Sequence, residues 1–149
     1  MSDPEHAQPS FRQRRTAVVR AHFEAEAGQD FDTALATFDH PHYEIVPTGA
    51  RYDGAEQVLD YYHSTRTAFP DQRHENVVLH HADDLVVAEF DLLGTHLGPL
   101  LGHPPTGRSF RCPVVAFFFF EGERITNERV YFDSATILTQ LGLVGPVPR

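Results

Sequence analysis

Four polar side chains recur at every second position near the C-terminal end of the chain: Asn127, Arg129, Tyr131 and Asp133. In an extended strand this period puts an amide, a guanidinium, a phenol and a carboxylate in one row that begins at Ile125, with Glu128, Val130 and Phe132 on the other face. If that row lines an apolar cavity, desolvation lifts the Asp133 carboxyl toward the range useful for proton transfer, and Tyr131 and Arg129 can stabilise an oxyanion. If the row faces water, none of this applies. Asp133 also has a structural reading, because it directly precedes Ser134-Ala135-Thr136 and can cap a helix starting there. His96 is the second candidate: strand parity groups it with Ala88, Phe90 and Leu92 on an apolar face. There an imidazole either donates to a carbonyl and shuttles a proton, or is simply hydrogen-bonded to backbone.

Counting residue types removes other mechanisms. All twelve basic residues are arginine, so the chain offers no lysine for a Schiff base, for covalent pyridoxal phosphate or for a phosphate-binding loop. A single cysteine, Cys112, excludes an internal disulfide and multi-cysteine zinc or iron–sulfur sites, and suits a reducing compartment. Ten histidines raise the question of a metal. The adjacent His80 and His81 point to opposite faces of a strand, however, and neither they nor His40-Pro41-His42 match a helical HExxH spacing, so no metal site is expected. A formal charge of −9 disfavours nucleic acid and anionic lipid as partners. The chain has no tryptophan, so aromatic surface for a ligand must come from Phe and Tyr side chains such as Phe90, Phe117 and Tyr131.

The elements that would position these residues follow from hydrophobic period. Apolar or amphipathic residues recur at helical spacing from Ser10 to Ala27, with Ser10 as N-cap and Gly28 as stop, and Asp30 caps a shorter helix carrying Phe31, Leu35 and Phe38. His42–Val46 reads as a strand and the turn-rich Pro47–Gly54 as a loop. A helix follows with Ala55, Val58, Leu59, Tyr62, Thr65 and Phe69 on one face, ended by Pro70. The period then changes to two, predicting strands over Arg73–His81, Asp84–His96, Ser109–Phe120 and Arg124–Asp133, with a terminal helix over Ser134–Leu141. Residues 1–9 and 144–149 read as tails around one domain at 10–143, a size expected for 149 residues. The fold class is α+β: a curved antiparallel sheet covered by the N-terminal helices, with a pocket between them. Met1–Pro9 lacks the features of a targeting segment, and the longest apolar run, Pro113–Phe120, is far below the ~20 residues of a membrane span, so a cytoplasmic protein is expected. Within that run Val114–Phe120 predicts a strand buried on both sides or packed on a second copy; a homodimer or higher homo-oligomer is the expectation.

Several motifs, in order, resemble the SnoaL-like polyketide cyclases, or ester cyclases: Phe69-Pro70-Asp71, Gly94-Thr95-His96-Leu97-Gly98, Pro105-Thr106-Gly107-Arg108, Glu128-Arg129-Val130-Tyr131-Phe132-Asp133 and Gln140-Leu141-Gly142. The likeness spans about residues 15–143. It implies the nuclear transport factor 2-like fold of ketosteroid isomerase, a cone with a deep hydrophobic pocket. It also implies Asp133 as general acid/base of an intramolecular aldol closure without metal or organic cofactor, and His96 in the pocket. On this reading a carboxylate takes a proton from a methylene between carbonyls, His96 polarises the accepting carbonyl, and Asn127, Arg129, Tyr131, Phe90, Phe117 and Tyr62 contact a hydrophobic polycarbonyl substrate. Two other classes stay open: a non-catalytic module that binds a small hydrophobic molecule, and an epoxide hydrolase or dehydratase on the same scaffold.

Overall fold

Ser10 and Gln13 start the first helix by exchanging hydrogen bonds, the Ser10 hydroxyl accepting from the Gln13 N–H and the Gln13 side chain accepting from the Ser10 N–H. Two of the N–H groups that any helix start leaves free are thereby satisfied. In the computed structural model, which describes residues 9–145, this helix is α1, Phe11–Ala27, and Gly28 closes it. Asp30 caps the short α2, Phe31–Ala36, and α3 covers Ala55–Ala68. Strands β1, His42–Ile45, and β2, Ala50–Asp53, lie between α2 and α3. Strands β3, Arg73–His81, β4, Leu85–Thr95, β5, Ser109–Glu121, and β6, Arg124–Phe132, form the meander, and α4, Ser134–Gln140, ends the fold. The expected tails fall almost wholly outside the described residues.

The six strands form one curved, unclosed sheet in the order β2-β1-β6-β5-β4-β3. All neighbours are antiparallel except β1 and β6, which pair in parallel, Tyr43 opposite Glu128. The segment read as a loop therefore contains a strand. Positive φ at Gly49 and Gly54 brackets β2, and these turn signals hide its four residues from period counting.

Helices α1 to α3 cover the concave side, where Val19 and Phe23 of α1, Phe31 of α2 and Val58 and Tyr62 of α3 meet Val86, Ala88, Phe90, Val114, Ala116 and Phe118. A smaller apolar cluster sits where α4 packs on β5, made of Ala68, Phe69, Phe110, Cys112, Ile137 and Leu141. Two glycines allow this end to close. A Cβ at Gly94 would stand 3.0 Å from the Phe110 ring and 3.1 Å from Phe69, and one at Gly98 only 2.0 Å from the Thr67 carbonyl oxygen. Asp71 fastens the same end, its carboxylate accepting from the Thr95 N–H and the Thr95 hydroxyl, each at 2.7 Å.

Candidate active site

The polar row of the last strand faces outward. Pairing with β5 slips between Phe119, opposite Asn127, and Phe120, opposite Ile125, so Thr126 is an extra residue in a β-bulge. The bulge corrects the uninterrupted alternation expected from Ile125 to Asp133: Ile125 is buried on the concave side, and so is Glu128, three residues on. Beyond it, Val130 and Phe132 share Glu128's side because helices must pack on apolar residues, and Asn127, Arg129 and Tyr131 take the convex side. There Asn127 and Arg129 donate to the Glu44 carboxylate, and the Arg129 guanidinium lies over Phe119. Tyr131, 41% exposed, packs edge-on against Phe117. Asn127, Arg129, Tyr131 and Phe117 stand on the opposite side of the sheet from Tyr62 and Phe90, which are buried in the concave interior. Arg129 and Tyr131 line an outer groove of about 320 Å³ with Glu44, Val46 and Arg51.

His96 and Asp133 border the smaller apolar cluster. The His96 ring is fully buried, its centroid 5.9 Å from that of Phe69, and Phe69 packs edge-on against Phe110. Its Nδ1 accepts from the Thr106 backbone N–H at 3.2 Å and lies 3.0 Å from the Thr106 hydroxyl oxygen. An accepting Nδ1 places the ring hydrogen on Nε2. That Nε2 is buried and has no hydrogen-bond partner. Asp133 lies just past β6 and is exposed. One of its carboxylate oxygens accepts from the Ala135 N–H at 3.1 Å and the other from the Thr136 hydroxyl at 2.9 Å, capping α4. An ionised carboxylate has about four acceptor positions, so two of them remain free. The Cys112 thiol, pushed up by burial, contacts the Asp133 carbonyl.

The concave interior holds a polar cluster that sequence reading did not assemble. His22 and Glu26, one helical turn apart on α1, bring Nε2 and a carboxylate oxygen to 2.8 Å, and a Glu128 oxygen lies 3.5 Å from the same Nε2. Tyr43 Oη is 2.9 Å from that nitrogen and 2.7 Å from Tyr62 Oη. Arg66 of α3 donates to the backbone and carboxylate of Glu26. Burial alone would push His22 down, but the Glu26 and Glu128 carboxylates override it and hold the imidazole up at about 10. Glu26, despite its burial, is drawn down to about 2 by His22 and Arg66. Burial pushes Glu128 and the Tyr43 phenol up. One ion pair is thus fixed beside a second buried carboxyl. Among the described residues, His22, Glu26 and Glu128 form the one group of such ligands whose donor atoms all lie within 4.8 Å of one another. The readable signal was a histidine and a glutamate four apart on the apolar stripe of α1 with Val19 and Phe23.

The sequence profile of SnoaL-like polyketide cyclases matches residues 16–141. The chain belongs to this family. A candidate polyketide cyclase of Xanthomonas campestris superposes with a TM-score of 0.81 at 24% identity, covering 89% of this chain and 99% of that one. A candidate polyketide cyclase of Streptomyces antibioticus gives 0.74 at 25% identity, with 86% and 98% covered. A phenazine biosynthesis-related protein of Pseudomonas aeruginosa gives 0.79 at 18% identity, with 93% and 90% covered. No curated protein matches the chain. A solved structure from Catenulispora acidiphila described as having a ketosteroid isomerase-like fold is also similar, so the expected fold class is the observed one. No helix among the described residues is long and apolar enough to cross a membrane.

Proposed function

We propose that this SnoaL-like protein closes a ring in a small hydrophobic polycarbonyl compound by intramolecular aldol addition, using only proton transfers by its own side chains. The observation that carries this reading is His96: a fully buried ring whose Thr106 contact leaves Nε2–H as a hydrogen-bond donor without a partner, among Phe69 and Phe110. A buried donor left unpaired is costly, and a substrate carbonyl oxygen would satisfy it while becoming more electrophilic. Asp133 borders the same apolar cluster and keeps two acceptor positions free. In the proposed step its carboxylate takes a proton from a carbon between two carbonyls. The resulting enolate carbon bonds to the carbonyl carbon held by His96, and the new alkoxide regains the proton from Asp133, so the enzyme ends as it began. The loop that brings Thr106 to His96 carries Leu97 and Leu101, 57% and 75% exposed, an apolar rim suited to such a substrate. The convex face, where Val115, Phe117, Phe119 and Tyr131 are partly exposed, is the surface we propose for pairing with a second copy, to be checked by light scattering.

The test is turnover of a panel of hydrophobic poly-β-carbonyl esters, followed as conversion to a product of unchanged mass and new retention time. Wild type is expected to convert at least one member, and Asp133→Asn to lose about 10²–10⁴-fold of that rate, the usual worth of a positioned base. Unreduced turnover by Asp133→Asn would overturn the assignment. Binding without conversion, equal in wild type and variant, would replace the enzyme by a ligand-binding module.

A further inference from the structure

We propose that His22, Glu26 and Glu128, with the Tyr43 phenol as a fourth donor, form a binding site for a divalent transition cation of the zinc or manganese kind. This goes beyond the ring closure proposed above, which needs no ion and is placed at the other apolar cluster. It also involves none of the histidine clusters that stand out in the sequence.

Spacing is the first argument. An ion about 2.0–2.2 Å from four tetrahedral ligands separates them by roughly 3.3–3.6 Å. Around His22 Nε2 the other three oxygens stand at 2.8 Å, 3.5 Å and 2.9 Å, and the donor atoms of His22, Glu26 and Glu128 all lie within 4.8 Å of one another. Orientation is the second. The Thr37 hydroxyl donates to the Ala34 carbonyl, so toward His22 its oxygen can only accept, and Nδ1 carries a hydrogen. Nε2 is left to face the carboxylates, in the arrangement by which metal-bound histidines are commonly held. Arg66 does the same for Glu26, taking one carboxylate oxygen at 3.3 Å and leaving the other turned to His22.

The third argument is an unpaired group. Glu128 Oε2 is buried, its side chain only 4% exposed, and it accepts no hydrogen bond. A proton on Nε2 satisfies Glu26 and leaves this oxygen orphaned, whereas a cation among the four atoms satisfies all of them. Size excludes an organic occupant: the Phe23, Phe38 and Phe118 rings crowd the imidazole with centroids 5.5–6.3 Å away. One nitrogen and three oxygens without sulfur suit zinc, manganese or iron(II) better than calcium or magnesium, which prefer oxygen-only shells of six or more. A groove of about 230 Å³ lined by Arg20, Phe23, Glu24, Ala27, His74 and Val77 lies outside this cluster, along the segment of α1 that carries Glu26.

The experiment uses the full chain, stripped with chelator and titrated calorimetrically with Zn²⁺ and Mn²⁺, with Mg²⁺ and Ca²⁺ as controls. Wild type is expected to take up one Zn²⁺ or Mn²⁺ per chain. His22→Gln and Glu128→Gln should weaken that binding at least tenfold, and the surface variant His80→Gln should leave it unchanged. Should either interior variant fail to fold, Co²⁺ added to wild type decides, because a four-coordinate N/O site gives an intense visible absorption that hydrated Co²⁺ lacks. No uptake, uptake insensitive to both interior variants, or a hydrated-type Co²⁺ spectrum would overturn the proposal and assign the space to a proton. Asp133→Asn should bind the ion as wild type does, which keeps this test separate from that of the ring closure.

Discussion

His22 and His96 are both fully buried imidazoles, and a threonine beside each sets opposite hydrogen patterns on them. Thr37 has its hydroxyl hydrogen committed to Ala34, so it forces Nδ1 of His22 to donate. Thr106 presents a backbone N–H, so it forces Nδ1 of His96 to accept. One ring therefore turns Nε2 toward two carboxylates, whereas the other, packed beside Phe69, keeps a buried Nε2–H without a partner. Residue type says nothing about this difference; the second atom each ring touches says all of it.

The contrast breaks first under truncation of the interior. Glu26→Ala strips Arg66 and His22 of their shared anion inside an apolar core, and urea unfolding is expected to show a loss of about 3–5 kcal/mol. A smaller loss is expected from Gly98→Ala, whose new methyl would sit 2.0 Å from the Thr67 carbonyl oxygen. The turn must shift, at about 1–3 kcal/mol. Turnover should fall more than stability does, since that turn leads into the loop holding Thr106 against His96. Asp133→Ala should cost only about 1 kcal/mol, the value of a helix cap, while abolishing turnover. A loss near that of Glu26→Ala would erase the distinction between the two regions.

The smallest effect concerns Asp71, whose carboxyl is held below its usual value: burial opposes this, and the Thr95 hydroxyl and N–H outweigh burial. A carboxyl depressed in the folded state contributes stability that is complete above its unfolded value near pH 4 and is lost as the pH falls through its folded value. With the side chain 43% exposed, solvent screening limits the contribution to about 1 kcal/mol or less. Asp71→Asn should remove that part of the acid slope in unfolding titrations and leave stability at pH 7 changed by no more than this. Nitrogen-15 spectra of the ring nitrogens sharpen the comparison without a mutation: His96 should show a protonated Nε2 with a bare Nδ1, and His22 a protonated Nδ1.

Most of the fold was legible because it is local. Capping at Ser10, Asp30 and Asp133, proline at 70 and the change of period after it gave helices and meander nearly residue by residue. The pairing of β1 with β6 was not, since nothing in a four-residue strand names a partner more than eighty positions away. For the site, alternation separated Glu128 from Asn127, Arg129 and Tyr131 correctly, yet parity divides a strand into two faces without saying which is concave. Tyr62 and Phe90 were placed inside because apolar stripes point to cores. His22 hides in such a stripe beside Val19 and Phe23, although a carboxylate four residues from a histidine on a buried helical face must have a partner.

The extra residue at Thr126 makes the interior's chemistry a matter of reading frame. If the hairpin at Gly122 held while Thr126 paired with Phe119 instead of bulging, every later side chain of β6 would exchange sides: Arg129 and Tyr131 would turn inward and Glu128 would meet water. The strand thus stores two alternative interiors one residue apart, a carboxyl lining and a guanidinium–phenol lining. A lineage could pass between them by forming or losing one bulge rather than by rebuilding the site residue by residue.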